Sequence, residues 1–237
     1  MKYIFTPLFV LLSLMSLQAQ KGYDIQAKVE GFQAEEAYLA YYFGEKQYIK
    51  DTVQVEDGLI RFTGEEPLDG GIYLIVLPPE NQYFELIVDK DQHFEVETKQ
   101  EDFVMSMKVN GSKDNELFYK DMRFLGSNRM RAAEINEQIK EMGEDDPKVA
   151  KLQEELTSID QKVKDGRKGL MDKNPDMLYT KVLKAMIDPV VPDEIKDDRN
   201  AAFYYYRDNY FNNLDFSDYR LLRTPVMYNR VNTFLEN

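Results

Sequence analysis

The chain of 237 residues contains no cysteine, no tryptophan and a single histidine, His93. Without thiols it can form no internal disulfide, run no cysteine nucleophile, and hold neither Cys-ligated zinc nor an iron–sulfur cluster. One imidazole argues against a multi-histidine metal centre or a histidine-based triad within one chain. Bases are also scarce: 30 Lys and Arg stand against 43 Asp and Glu, a net charge of −13. That balance argues against nucleic acid as a partner, because phosphate neutralisation needs Lys and Arg. There is no Gly-rich phosphate loop, no G-x-S-x-G elbow and no H-E-x-x-H pair. What is present, 43% hydrophobic and 13% aromatic residues, suffices for packed cores.

Long apolar runs are missing too, apart from one short run at the N-terminus. Lys2 precedes the stretch Pro7 to Leu17, broken only by Ser13 and Ser16, and Ala19 supplies a small residue before Gln20. This pattern predicts a secretory signal over residues 1–19. The run is too short to cross about 30 Å of hydrocarbon. No later stretch approaches membrane length, so no membrane span is expected after cleavage. The mature chain would carry 29 bases against 43 acids, and with no disulfides its stability must come from core burial.

Two composition regimes follow, and they predict an α+β protein. From Tyr23 to about Asn110, short alternating runs lie between turn signals at Asp57-Gly58, Gly70-Gly71, Pro78-Pro79 and Asp89-Lys-Asp91. They predict an antiparallel sandwich or barrel-like domain over residues 20–111, with Asp57-Gly58 read as a hairpin turn. From Ser112, a candidate N-cap, apolar residues recur at three- and four-residue steps through Phe118, Leu125, Ile135 and Ile139. Beyond Gly143 to Asp146, Pro147 opens a second seam through Val149, Leu152, Leu156, Ile159, Val163 and Leu170. Two seams joined by a polar turn predict a long antiparallel helical hairpin. Shorter helices are expected after Asn174-Pro175, over the aromatic run from Ala201, and after Thr224-Pro225, in a helical domain spanning 112–237. Residues 20–112 carry 19 acids and 8 bases, whereas the two long helices are nearly neutral. The acidity therefore belongs to the β-domain.

Candidate sites are few. Asp89-Lys-Asp91 begins like a calcium loop but lacks the glycine and the glutamate at the sixth and twelfth positions, so a turn is preferred. His93 reads as an edge or surface histidine. Tyr38, Tyr41, Tyr42 and Tyr48 are candidates for a ligand- or partner-facing sheet surface, against the simpler reading of a tyrosine-rich strand pair. Tyr204, Tyr205, Tyr206 and Tyr210 are candidates for a stacking platform, against core or interface packing. Asn110-Gly-Ser112 fits a glycosylation sequon and equally a turn with a helix cap. No catalytic, metal or cofactor residue is read from the sequence.

Several segments carry a resemblance. Tyr41 to Val53, Gly70 to Pro79, Val109 to Asn115, Tyr204 to Phe211 and Asp218 to Pro225 resemble the N-terminal part of TlpA-type thioredoxin-like thiol–disulfide oxidoreductases exported by Gram-negative bacteria. The resemblance implies a signal peptide, a β-rich domain and a helical domain, followed in those proteins by a thioredoxin-fold domain with a Cys-x-x-Cys pair. Here the chain ends at Asn237 without that pair, so the helical domain is expected to be incomplete and no catalytic residue carries over. The expected role is a non-catalytic periplasmic module that positions, oligomerises or gives client recognition to a thioredoxin-fold domain in cis or in trans, with a homodimer as one arrangement. The alternative is a stand-alone envelope protein binding a glycan, peptide or cation through the acidic, tyrosine-rich β-domain.

Overall fold

The computed structural model describes residues 22–56, 58–142 and 146–236. The signal segment, Asp57 of the Asp-Gly turn and residues 143–145 of the interhelical turn lie outside the described residues.

Among the described residues, eight strands form two four-stranded sheets. β1 (Tyr23–Glu30), β4 (Leu59–Gly64), β7 (His93–Lys99) and β8 (Lys108–Asn110) make one, in the order β4-β1-β7-β8. β2 (Glu36–Phe43), β3 (Lys46–Gln54), β5 (Gly71–Leu77) and β6 (Gln82–Val88) make the other, in the order β3-β2-β5-β6. Strict alternation sets the inner face of the first sheet: Ile25, Ala27 and Val29 are buried beside Ile60, Phe62, Phe94 and Val96. Leu39, Ile75, Leu77, Phe84 and Leu86 are buried on the second sheet and share one core with the first. The architecture is α+β, and the sheets do not close into a barrel.

Two details differ from the sequence expectation. β1 and β7 pair in parallel, Ile25 opposite Phe94, while every other ladder is antiparallel. Neither Asp57-Gly58 nor Asp89-Lys-Asp91 joins partners in a ladder. Glu56 and Leu59 exchange backbone hydrogen bonds across the first turn, but β3 and β4 then enter different sheets. β6 and β7 are likewise in different sheets. Turn chemistry fixes a local reversal, whereas ladder partners are fixed by which faces the alternating strands must bury. Asp89 to Gln92 is a corner held by side chains: Gln92 bonds both backbone groups of Leu68, and Asp91 accepts from the Lys113 amide.

Residues Ser112 onward give helices α1 (Lys113–Glu141) and α2 (Pro147–Lys173). Ser112 caps α1 and Asp146 caps α2, with proline in its first turn. The pairs Asp121–Arg167 and Arg131–Glu155 place the helices antiparallel, since one number rises as the other falls. Phe118, Leu125 and Ile135 are buried, but no residue of α2 is. α3 (Leu178–Ala185), α4 (Arg199–Asn209), the 3-10 turn Tyr219–Arg223 and α5 (Pro225–Glu236) complete the chain. Among the described residues no helix is long and apolar enough to cross a membrane.

The helical part is welded to the sandwich. β6 is an edge strand, and Asn115, fully buried on the first turn of α1, acts as its missing neighbour. Its side chain accepts from the Ile87 amide at 2.8 Å and donates to the Ile87 carbonyl at 2.7 Å. The Tyr119 hydroxyl donates to the Glu85 carbonyl at 2.7 Å one pleat further on. On the other side of α1, Asp114 accepts from the Tyr179 amide and supplies the cap that Met177 cannot give α3. Burial holds the Asp114 carboxyl above its ordinary pKa. The opposite edge strand, β3, is left open. It is blunted by Lys46 and Lys50 and by a register shift opposite Leu39 and Ala40.

Candidate interaction surface

The second sheet's tyrosines separate by strand alternation. Tyr41 and Phe43 share one face of β2, and Tyr38 and Tyr42 the other. On the first face Tyr48 lies opposite Tyr41 across the β2–β3 ladder, with ring centroids 5.8 Å apart. Tyr73, from β5, approaches Tyr41 at 6.0 Å. On the other face Tyr38 donates to Glu36, and Tyr42 donates to Glu85 at 2.9 Å. Glu85 is held above the ordinary carboxyl pKa by desolvation, partly opposed by that bond. Burial raises the Tyr42 hydroxyl in turn.

A cation completes the first cluster. The Arg223 guanidinium lies 5.8 Å from the Tyr41 ring and 5.7 Å from Phe43, and it pairs with Asp69. It is brought there by the 3-10 turn, which docks on the β2–β3 hairpin. The Gly44 amide donates to the Leu222 carbonyl at 3.2 Å, and Tyr228 of α5 donates to Glu45 at 3.0 Å. Phe43, Tyr48 and Leu222 remain 48%, 44% and 44% exposed. The result is an exposed patch of aromatics and aliphatics around an arginine, the composition that dominates binding energy at protein interfaces.

The same turn carries Arg220, which is almost buried. It donates to Asp89 at 2.6 Å and makes two bonds to Asp218, joining β6 to the end of the chain. The Arg220 contacts hold the Asp218 carboxyl below its ordinary pKa. Gly70 and Gly71 make the approach possible. A Cβ on Gly71 would lie 2.4 Å from the Arg223 Cβ, and one on Gly70 would lie 2.8 Å from the Arg220 methylenes. Gly71→Ala is therefore expected to cost about 1–3 kcal/mol through forced repacking. Gly70→Ala should cost less, because it meets side-chain atoms alone, whereas a Cβ on Gly71 also meets the Arg223 backbone carbonyl at 2.9 Å. Urea unfolding of the two variants checks the order.

The tyrosines from Tyr204 to Tyr210 lie apart from this patch, and among the described residues no ring contact links the two sets. Their helix is more exposed than a core reading implies. Tyr204 is 53% exposed and carries the Arg207 guanidinium at 4.9 Å, while Tyr205 and Tyr206 are half-buried. Only Tyr210 is buried, under the Arg230 guanidinium at 3.8 Å and against Phe211 and Phe234. His93 opens β7, with Nε2 3.1 Å from the Gly22 carbonyl. Asn110 donates to Glu95, and Ser112 is a buried helix cap. Among the described residues no group of three or more His, Asp or Glu is arranged to hold a metal.

Arg220, Arg223 and Tyr73 did not stand out in the sequence as site residues. The available signal was two arginines three apart in a chain poor in bases, together with a Gly-Gly pair wide enough to admit them. No curated protein and no solved structure matches the chain. Residues 23–118 match a family described as Domain of unknown function (DUF4369). The match runs from β1 into the second turn of α1 and includes Asn115, so it takes in the sandwich and the first helical turn that closes its edge.

Proposed function

We propose that the protein is a non-catalytic, exported module that docks and orients a thioredoxin-fold domain, in cis or in trans, in the manner of the TlpA-type oxidoreductases it resembles. The carrying observation is where the resembling segments go. Tyr41 to Val53, Gly70 to Pro79 and Asp218 to Pro225 are far apart in sequence, yet they meet where Gly70 and Gly71 pack on Arg220 and Arg223 and where Arg223 lies over Tyr41 and Phe43. Together they end in an exposed aromatic and arginine patch. DUF4369 domains commonly stand N-terminal to redoxin domains, which supports the same reading. The patch gives the partner domain a fixed place, and the redox chemistry belongs to that partner.

The test joins the mature protein to, or mixes it with, the thioredoxin-fold domain encoded beside it. Reduction of a folded disulfide client should fall when Phe43→Ala and Tyr48→Ala are combined, while reduction of a small-molecule disulfide should not change. Equal rates on the client, or no redoxin frame in the neighbourhood, would count against the proposal. The exposed Phe43 and Tyr48 rings support a second reading, a stand-alone envelope protein that stacks a glycan. A glycan array with the mature protein checks it, and uniformly absent binding removes it.

A further inference from the structure

The two long helices do not close their own seam. In α2 the residues Leu152, Leu156, Ile159, Val163 and Leu170 are all only half-buried. Hollows of about 440 and 700 Å3 lie between the helices and meet at Phe124. Both open on one flank. Leu117, Lys120, Phe124, Ser127 and Arg131 follow steps of three and four on α1 and so form one stripe. Lys162, Gly166, Gly169 and Lys173 do the same on α2. The furrow runs about 20 Å, four turns at 1.5 Å per residue. Gly166 seats the Phe124 ring, since a Cβ there would be 3.1 Å from it, whereas a Cβ on Gly169 would meet nothing within 4 Å.

The charge of this furrow opposes that of the chain. Of its acids, Asp121 accepts from Arg167 and Tyr179, Glu155 from Arg131, and Asp165 from the Gln161 amide. Of its bases, Lys120 and Lys173 have no carboxylate partner among the described residues, Lys162 sits 5.6 Å over the Phe124 ring, and Arg123 donates to the Met107 carbonyl. A protein of net charge −13 thus carries a cationic furrow with an apolar floor of Leu117, Phe124, Ile159 and Leu170.

We infer that this furrow docks an acidic amphipathic helix of a partner protein, laid along α1 and α2 as a third helix. The half-open seam sets the shape of the occupant, because a helix packed in a two-helix groove completes a bundle. The unpaired lysines set its charge. A second copy of the hairpin would bring the same cations and is disfavoured. This inference stands independently of the redoxin reading, since it uses neither the Arg223 patch nor a thioredoxin-fold domain.

The probe is a labelled helical peptide of four turns, with leucines at i, i+3, i+4 and i+7 and glutamates elsewhere. Its counterpart keeps the leucines and replaces the glutamates with lysines. Anisotropy titrations with the mature protein should show the acidic peptide binding at least about tenfold more tightly, with the advantage shrinking as salt rises. Lys120→Glu combined with Lys162→Glu, and separately Gly169→Leu, should each weaken it at least about tenfold, with circular dichroism unchanged. Equal binding of the two peptides, no binding of the acidic one up to about 1 mM, or binding indifferent to both variants overturns the inference. So does a sedimentation-detected dimer of the unmodified protein that Gly169→Leu dissociates, because the furrow would then hold a second copy.

Discussion

Arg220→Ala is expected to destabilise the protein by about 3–5 kcal/mol at neutral pH, the cost of stripping the partner from buried charges. The Arg220, Asp89 and Asp218 side chains are 15%, 12% and 7% exposed, so the two carboxylates left behind would be charged and largely dry. Lys181, 3.4 Å from Asp218, compensates only in part. Arg220→Lys should recover part of the loss, because an ammonium restores the charge without the fork that reaches both carboxylates. The pH dependence has a definite sign. The native Asp218 carboxyl is held below its ordinary value. The wild type therefore keeps this stabilisation above the unfolded carboxyl pKa of about 4 and loses it as the pH falls through the depressed native value. In the variant, burial without a cation favours the protonated carboxyls instead. The gap between wild type and Arg220→Ala should narrow as the pH drops below about 5. Urea midpoints at pH 7 and pH 4 measure both effects, and a gap that stays constant would contradict the assignment.

Asn115→Ala should cost about 2–4 kcal/mol, since it leaves the Ile87 N–H and C=O buried without partners. The loss has a local signature: the Ile87 amide should exchange with solvent far faster, while amides of the central strand β5 slow or quicken only with global stability. Asn115→Asp should be worse than alanine at neutral pH. A carboxylate can accept from the Ile87 amide but cannot donate to its carbonyl, and it would be a buried anion. Hydrogen exchange resolved by residue distinguishes this clasp from simple loss of packing.

How much of this was legible beforehand varies by element. Alternation in Tyr23 to Val29 and in Phe94 and Val96 has one physical cause, a single buried face, so the strands could be read from period alone. The helical seams at 118–139 and 149–170, the caps Ser112 and Asp146, and Pro147 were legible for the same reason. Strand partners were not. Asp57-Gly58 encodes a reversal and says nothing about which sheet the next strand joins, and the parallel β1–β7 pair depends on two segments about 70 residues apart. Strand parity already separates Tyr41 from Tyr38 and Tyr42, but which of the two faces of β2 meets the 3-10 turn was not legible. Arg220 and Arg223 escaped because the partners that tie them to the sandwich, Asp89 and Asp69, lie more than 130 residues earlier, and long-range ion pairs leave no periodic trace. The tyrosines from Tyr204 onward could be read as a stacking platform or as packing, and the run divides: Tyr204 is exposed beside Arg207 and Tyr210 is buried.

The position of β1 has a consequence for the time course of folding. β1 is an interior strand of its sheet, flanked by β4 and β7. Its parallel neighbour is not made until residues 93–99, and the Arg220 to Asp89 tie spans 131 residues more. Contacts of such sequence separation form slowly, because the loop between them must be closed before any pairing is gained. β1 can pair with β4 first, but its other edge must wait for β7, and the long, locally stabilised hairpin of α1 and α2 can fold before the Arg220 tie closes.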